Sequence, residues 1–289
     1  MKRLIALLAL PGLLFCFSCG KENADVHGPE HQNTLPTEPG QIKVISFNIR
    51  QMTTESRAFD HWAVRAGACR DMVIDQQPSI IGLQELAQTQ WEYMYGTLAR
   101  YGYEGVALQD YKNSIMYKSD VMELLSTGIF WLSDTPDVPS ISWDNFERYV
   151  RWAIMRVKAT GVVFFFINSH LGLTTASRDS AMKLIKKRLP KVNPENLPVV
   201  FVADFNTVET DAIFDGIRST MVCTREVAPI SDQIKTYNGW NLKTNTPYVC
   251  DHIWITNGIQ CSEYRTVTKS YDGHTLISDH YPVYSIIKF

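Results

Sequence analysis

Hydrophobic and polar positions alternate with a period of two in "IKVISFN" (42–48), the pattern of a strand with two unlike faces. Ahead of "SIIGLQE" (79–85), a second strand following Pro78, "SRAFDHWAVRAGACRDMVIDQ" (56–76) changes to the helical period. It sets Phe59, Trp62, Ala63, Ala66, Cys69 and Val73 near one face. A helix is expected over "AQTQWEYMYGTLARY" (87–101), then short strands at "YEGVALQ" (103–109) and "NSIMYK" (113–118). "ELLSTGIFWL" (123–132) is a strand region ending in the turn-rich "SDTPDVPS". "VRWAIMRVKA" (150–159) and "VVFFFINSH" (162–170) read as a hairpin through Thr160-Gly161. "ASRDSAMKLIKKRLP" (176–190) reads as a basic-sided helix stopped by Pro190, "LPVVFVADFNT" (197–207) as a buried strand, and "ETDAIFDGIR" (209–218) as a helix. The strands "VCDHIWIT", "IQCSEYRTVT" and "PVYSIIKF" close the chain, and Asn257-Gly258 predicts a two-residue hairpin between the first two.

Strands and helices alternate while hairpins intrude, which favours an α/β protein with mixed sheets over a purely parallel one. Residues 41–289 hold no second linker and no repeat, so they are expected to form one domain. The N-terminus is different. "MKRLIALLALPGLLFCFSCG" has a basic start and a short apolar run, the layout of a secretory leader over 1–18. Ser18-Cys19-Gly20 resembles a bacterial lipobox, and the polar, proline-bearing residues 19–40 read as a tether. The expectation is an exported, membrane-anchored lipoprotein, periplasmic or cell-surface, lipidated on Cys19 and monomeric.

The formal net charge is −2, and it falls to −4 when Lys2 and Arg3 leave with the leader. That balance is unlike a protein dedicated to nucleic acid. Four cysteines remain beyond the leader and tether, with no CxxC among them. The expected hairpin register sets Cys261 opposite Trp254 and Cys250 opposite Arg265, so no 250–261 disulfide is predicted.

The chemistry collects at strand ends. "VISFN" ends in Asn48, "IIGLQE" in Glu85, "FFFINSH" in His170, and "VVFVADFN" in Asp204 and Asn206. Asp204 and Asn206, two residues apart, are expected to project together from their strand. "VCDHIWI" carries Asp251, and "ISDHYPV" carries Asp279 and His280 just before a strand. Strand ends gathered along one rim of a sheet are where α/β proteins place their sites. Each piece alone has a blander explanation: a D-x-N after a strand is commonly a turn, and a strand-end histidine a structural hydrogen-bonder. Their joint occurrence points to a hard divalent cation of the magnesium type with few protein ligands.

The motifs "SFNIR", "IIGLQE", "NSHL", "ADFN", "CDHIWI" and "SDHYPV" are spread over essentially all of residues 42–285. By them the chain resembles the endonuclease/exonuclease/phosphatase family, and "FWLSDTPD" and "DGHTLISDHYPV" resemble a secreted bacterial branch of it. The resemblance implies the deoxyribonuclease I-like fold, a four-layer α/β sandwich of two packed mixed β-sheets flanked by helices. It implies Mg²⁺-dependent (or Mn²⁺-dependent) phosphoester hydrolysis by activated water. Glu85 would hold the metal with Asn48 and Asp279 near it. Asp204 would activate the water, and Asn206 would fix water or a phosphoryl oxygen. His280 would donate to that oxygen with Asp251 behind it, and His170 would contact phosphate or leaving group. The motifs do not divide the roles of the two histidines. Arg151 and Arg178 are expected to bind substrate phosphate. Ala203, where the family commonly has glycine, is expected to crowd the site without removing a ligand. A phosphomonoester or phosphodiester on a small or lipid-linked group is the expected substrate. An extracellular nuclease and a catalytically silent surface-binding module are the alternatives.

Overall fold

The structure is a computed structural model that describes residues 33–52, 60–107, 110–243 and 248–289, so the expected leader, Cys19 and most of the tether lie outside the described residues. Two mixed sheets face each other. The seven-stranded sheet contains β1 (Gln41–Asn48), β2 (Ile80–Gln84), β3 (Tyr103–Val106), β4 (Asn113–Lys118), β10 (Ile230–Ser231), β12 (Gln260–Thr266) and β13 (Val283–Lys288). The six-stranded sheet contains β5 (Met122–Trp131), β6 (Tyr149–Val157), β7 (Val163–His170), β8 (Val199–Asp204), β9 (Met221–Cys223) and β11 (Asp251–Thr256). Helices α1 (Trp62–Gln76) and α2 (Gln88–Leu98) cover the first sheet, and α3 (Thr175–Val192) covers the second; a single short turn of helix, α4 (Thr224–Val227), follows β9.

Period-two alternation sorts the strand residues into three cores. Ile42 and Val44 of β1, Phe164 and Phe166 of β7, Val200 and Val202 of β8, and Ile253 and Ile255 of β11 meet between the sheets. Their neighbours Ile45 and Phe47 face α1 and α2, while Phe165, Phe201 and Trp254 face the α3 layer. The outcome is the four-layer α/β sandwich.

Three local expectations need correction. Asn257-Gly258 does make a tight turn, with Gly258 at φ 99°, but β11 and β12 do not pair. β8 and β9 already occupy both edges of β11, so the chain crosses after the turn and β12 joins β13 in the opposite sheet. The four cysteines among the described residues are free, and the 250–261 bridge is absent as expected, though not because of a β11–β12 register. Pro190 does not stop α3, which runs on to Val192, because a proline in the last turn forfeits one backbone hydrogen bond and keeps a helical φ. The expected helix over 209–218 is a single short helical turn at Ala212–Phe214 amid other turns.

Candidate active site

The inner-face rows of five strands change from apolar to polar toward one rim. Val44 is followed by Ser46 and Asn48, Ile80 by Gly82 and Gln84, and Phe166 by Asn168 and His170. Val200 and Val202 lead to Asp204, and on β11, read backwards, Ile255 and Ile253 lead to Asp251. Strands β1 and β2 are parallel, as are β7 and β8, so their carboxyl ends share the rim. β11 runs antiparallel to β8, with Asp251 opposite Asp204, and β13 runs antiparallel to β1. Residues at the start of β11 and just before β13 therefore reach the same place as the ends of the others. All eight polar residues singled out in the sequence, Asn48, Glu85, His170, Asp204, Asn206, Asp251, Asp279 and His280, are brought together there.

Most of them line or underlie a cleft of about 540 Å³. Asn48 turns its amide nitrogen to Glu85 Oε1 (3.0 Å) and Asp204 Oδ2 (2.9 Å), and its oxygen accepts the Arg50 backbone N–H. As it stands, Asn48 orients two carboxylates. Glu85 Oε2 also accepts the Gln51 N–H, and Glu85 leaves its strand at φ 66°. Asp204 Oδ2 lies 3.4 Å from His170 Nε2 and 3.7 Å from His280 Nε2. His280 Nδ1 is 2.9 Å from Asp251 Oδ2. Asn206 arrives by a turn and not by strand alternation. Its φ is 52°, its N–H donates to Asp204 Oδ1, and its side-chain amide donates to the Leu171 carbonyl and to His170 Nε2 at 3.0 Å. With Nε2 accepting, the His170 ring proton sits on Nδ1, which faces Glu85 Oε1 at 3.9 Å.

Burial and charge divide the protonation states. Burial, reinforced by the Arg148 guanidinium, drops the His170 imidazole to about 3, so it is neutral. His280 is held well above the ordinary imidazole range because the Asp251, Cys250 and Asp204 groups outweigh its burial, and Asp251 is lowered in turn. Burial and the Asp251 charge push Asp204 up to about 7. Glu85 falls to about 2: burial alone would raise it, but the His170 ring, charged in the acid range where Glu85 titrates, the Asn48 amide and the Gln51 N–H prevail. Asp279 is raised, by burial first and then by the Glu85 charge.

Arg151 and Arg178 are not on the cleft wall. Arg151 is fully buried and donates to the Asn113 and Asp110 carbonyls, and Arg178 donates to the Leu173 carbonyl and Thr175. Both guanidiniums are drawn mainly to nearby backbone oxygens, so the cleft as it stands does not receive the expected phosphate contacts. The cations that do line the cleft are Arg50, Lys112 and Arg148. Arg50 sits in the "SFNIR" motif, held by Arg65 and Gln90 on its carbonyl, and could have been read there. Arg148, Tyr237 and Tyr248 lie in loops without periodicity and gave no signal, and Cys250, though it opens "CDHIWI", is not among the expected site residues. Ala203 packs outward against the α3 layer, so its methyl does not crowd the site as expected.

The donor set fits a hard divalent ion. Glu85 Oε2 and Asp279 Oδ2 already face one cation, the Arg50 guanidinium, at 4.0 and 3.3 Å. Two carboxylates of like charge, one of them raised by burial and then by the other's charge, are the environment a divalent cation relieves.

No family model matches the chain. An uncharacterised protein of Acanthamoeba polyphaga mimivirus is 24% identical over 274 residues, covering 86% of this chain and 100% of that protein. Among solved structures, a mannosyl-6-phosphatase of Bacteroides thetaiotaomicron aligns with a TM-score of 0.76 at 26% identity, over 86% of this chain and 100% of that one. An endonuclease/exonuclease/phosphatase family protein of the same organism aligns with a TM-score of 0.77 at 27% identity, over 86% and 98%.

Proposed function

The chain is an endonuclease/exonuclease/phosphatase-family protein of deoxyribonuclease I-like fold, and on that premise we propose that it is a divalent-metal-dependent hydrolase of a small phosphomonoester. The observation that carries the reading is the meeting of Asp204 with His170, Asn206 and the His280–Asp251 pair beside Glu85 and Asp279. Glu85 and Asp279, oriented through Asn48 and Arg50, would hold Mg²⁺ or Mn²⁺. Such an ion supplies charge neutralisation on the phosphoryl oxygens.

The chain's own residues do the rest. Asp204, with a carboxyl near neutrality, accepts the proton of the attacking water, since a general base works best when its pKa lies near the operating pH. His280 enters as imidazolium and donates from Nε2 to a phosphoryl oxygen; Asp251 keeps it charged and fixes its orientation. His170, neutral and pinned by Asn206, offers an uncharged contact beside the same centre. Arg50, Lys112 and Arg148 supply positive charge along the cleft.

Phe146, Leu173, Tyr237 and Tyr248 wall the cleft, and the two tyrosines pack edge to face. Aromatic walls around a pocket of this size suit a compact polar ring carrying a phosphate better than a polymer. The likeness to a mannosyl-6-phosphatase supports a sugar phosphate. Export and anchoring through a lipid on Cys19 belong to the same proposal, and Cys19→Ala should move the protein from the membrane fraction to a soluble one.

The decisive experiment offers the purified protein with Mg²⁺ a panel of sugar phosphates, inositol phosphates, sphingomyelin, RNA and DNA. Release of phosphate from a sugar phosphate is the expected result. Cleavage of nucleic acid alone would replace this reading with that of a nuclease, and no turnover on any substrate with a folded protein would favour a silent module.

A further inference from the structure

A second set of donor atoms gathers around His280, apart from the Glu85–Asp279 pair. Cys250 Sγ is 3.4 Å from Asp251 Oδ2 and 3.7 Å from His280 Nδ1, and those two atoms are 2.9 Å apart. Asp204 brings a fourth ligand atom, and all four lie within 4.8 Å of one another, each in a buried residue. Asp251 Oδ1 is buried and has no hydrogen-bond partner, so that carboxylate has a second acceptor atom unused. Cys250 and His280 both line the cleft, which gives an ion a route in.

Thiolate, imidazole and carboxylate together are the donors of a borderline-soft ion, not of magnesium. With Zn–S near 2.3 Å and Zn–N or Zn–O near 2.0–2.2 Å, a tetrahedral zinc needs ligand–ligand edges of roughly 3.3–3.6 Å. The sulfur edges to Asp251 and His280 nearly meet that requirement as they stand, and the His280–Asp251 pair needs to open by about 0.4 Å.

We propose that Cys250, Asp251, His280 and Asp204 form a zinc site separate from the Glu85–Asp279 pair, and that zinc bound there arrests the enzyme. Coordination releases the Cys250 thiol proton and the His280 Nδ1 proton to water. It opens the His280–Asp251 contact and takes up the Asp204 carboxylate, so the group proposed to receive the water proton is no longer free. Without zinc the thiol donates to Asp251 and stays inert. Only the arrest rests on the hydrolytic reading above; the metal site does not.

Cobalt(II) added to the full-length, Mg²⁺-saturated protein should produce a thiolate-to-cobalt charge-transfer band at one equivalent, bleached by zinc. The band should persist in Cys261→Ser and Glu85→Gln and disappear in Cys250→Ser. No band, or a band that survives Cys250→Ser, overturns the site. If Cys250→Ser fails to fold, zinc X-ray absorption on the wild-type protein decides. One sulfur neighbour at about 2.3 Å supports the site, and a shell of nitrogen and oxygen alone overturns it. Turnover, once found, should be lost on adding one equivalent of zinc and kept in Cys250→Ser relative to that variant's own zinc-free rate. Undiminished wild-type turnover beside a full charge-transfer band would refute the arrest, whereas absence of turnover before any zinc would count against the hydrolytic reading.

Discussion

Gln84 donates its side-chain amide to Oδ1 of Asn168 at 2.7 Å, across the interface between the two sheets. Asn168 answers by donating to the carbonyls of Leu83 and Ser114, at 2.9 and 2.8 Å. Both residues are fully buried, and one step further along their strands stand Glu85 and, two residues on, His170. The bond therefore fixes the spacing of a carboxylate from one sheet and an imidazole from the other. Gly82 permits the approach: a Cβ there would lie 2.4 Å from Val202 Cγ2 and 2.9 Å from Asn168.

Gly82→Ala should overpack this interface and lower stability by about 1–3 kcal/mol. Gln84→Leu should cost about 1–3 kcal/mol by leaving the Asn168 oxygen buried and unpaired. Urea denaturation checks both. A midpoint unchanged in either variant would show that the sheets meet less closely at this point.

Lys43 gives stability a pH dependence remote from the site. Its amine is buried, bonded to Asn33, the Thr34 carbonyl and Gln76, and lies over the Tyr284 ring. Burial lowers it to about 7, against partial compensation from the charges of Glu263 and Asp75. The unfolded chain, with lysine near 10.4, binds the proton more tightly. Between about pH 7 and pH 10 the unfolded state thus carries more protons, and the Lys43 contribution to stability rises with pH. Lys43→Met should flatten that rise and gain most at or below pH 7. Parallel pH profiles of the melting temperature for the two proteins would rule this out.

The site was legible because its residues obey strand periodicity. Asn48, His170 and Asp204 each fall two positions beyond a buried inner-face residue, so a reader of the pattern meets them in the row the sheets bury. Asn206 reaches the cleft by an unforeseen route, since a left-handed residue after a strand leaves no mark on alternation. Arg151 and Arg178 misled because a sequence displays charge but not depth. Arg151 alternates on β6 like any core residue, and only the structure shows which carbonyls absorb its guanidinium. The β11–β12 hairpin misled for a related reason. Turn chemistry at Asn257-Gly258 is local, whereas the partner of β12 depends on which strand edges are already taken. Asn257, through its amides, is held by the carbonyls of Thr220 and Ser219, contacts no local rule anticipates.

Glu85→Gln keeps the side chain's size and removes the charge that the divalent ion would answer. Turnover should be abolished by this change and by EDTA alike, with the circular dichroism spectrum unaltered. Calorimetric titration with Mg²⁺ should show the affinity reduced in Glu85→Gln and in Asp279→Asn. Full activity after exhaustive dialysis against EDTA would remove the metal from the reaction.

Asp204 is the carboxylate on which both imidazoles converge, and it accepts from the Asn48 amide and the Asn206 N–H. Asp204→Asn preserves shape but removes the proposed acceptor of the water proton. A positioned general base contributes about 10²–10⁴-fold, so kcat should fall by that factor with little change in Mg²⁺ affinity. Asp251 acts at one remove. It touches His280 and not the reacting atoms, so Asp251→Asn should also slow turnover, yet add little to His280→Ala in the double variant. Strict additivity of the 251 and 280 changes would break the pair into independent residues. A normal kcat in Asp204→Asn would mean that the carboxylate ending β8 holds something other than the nucleophile.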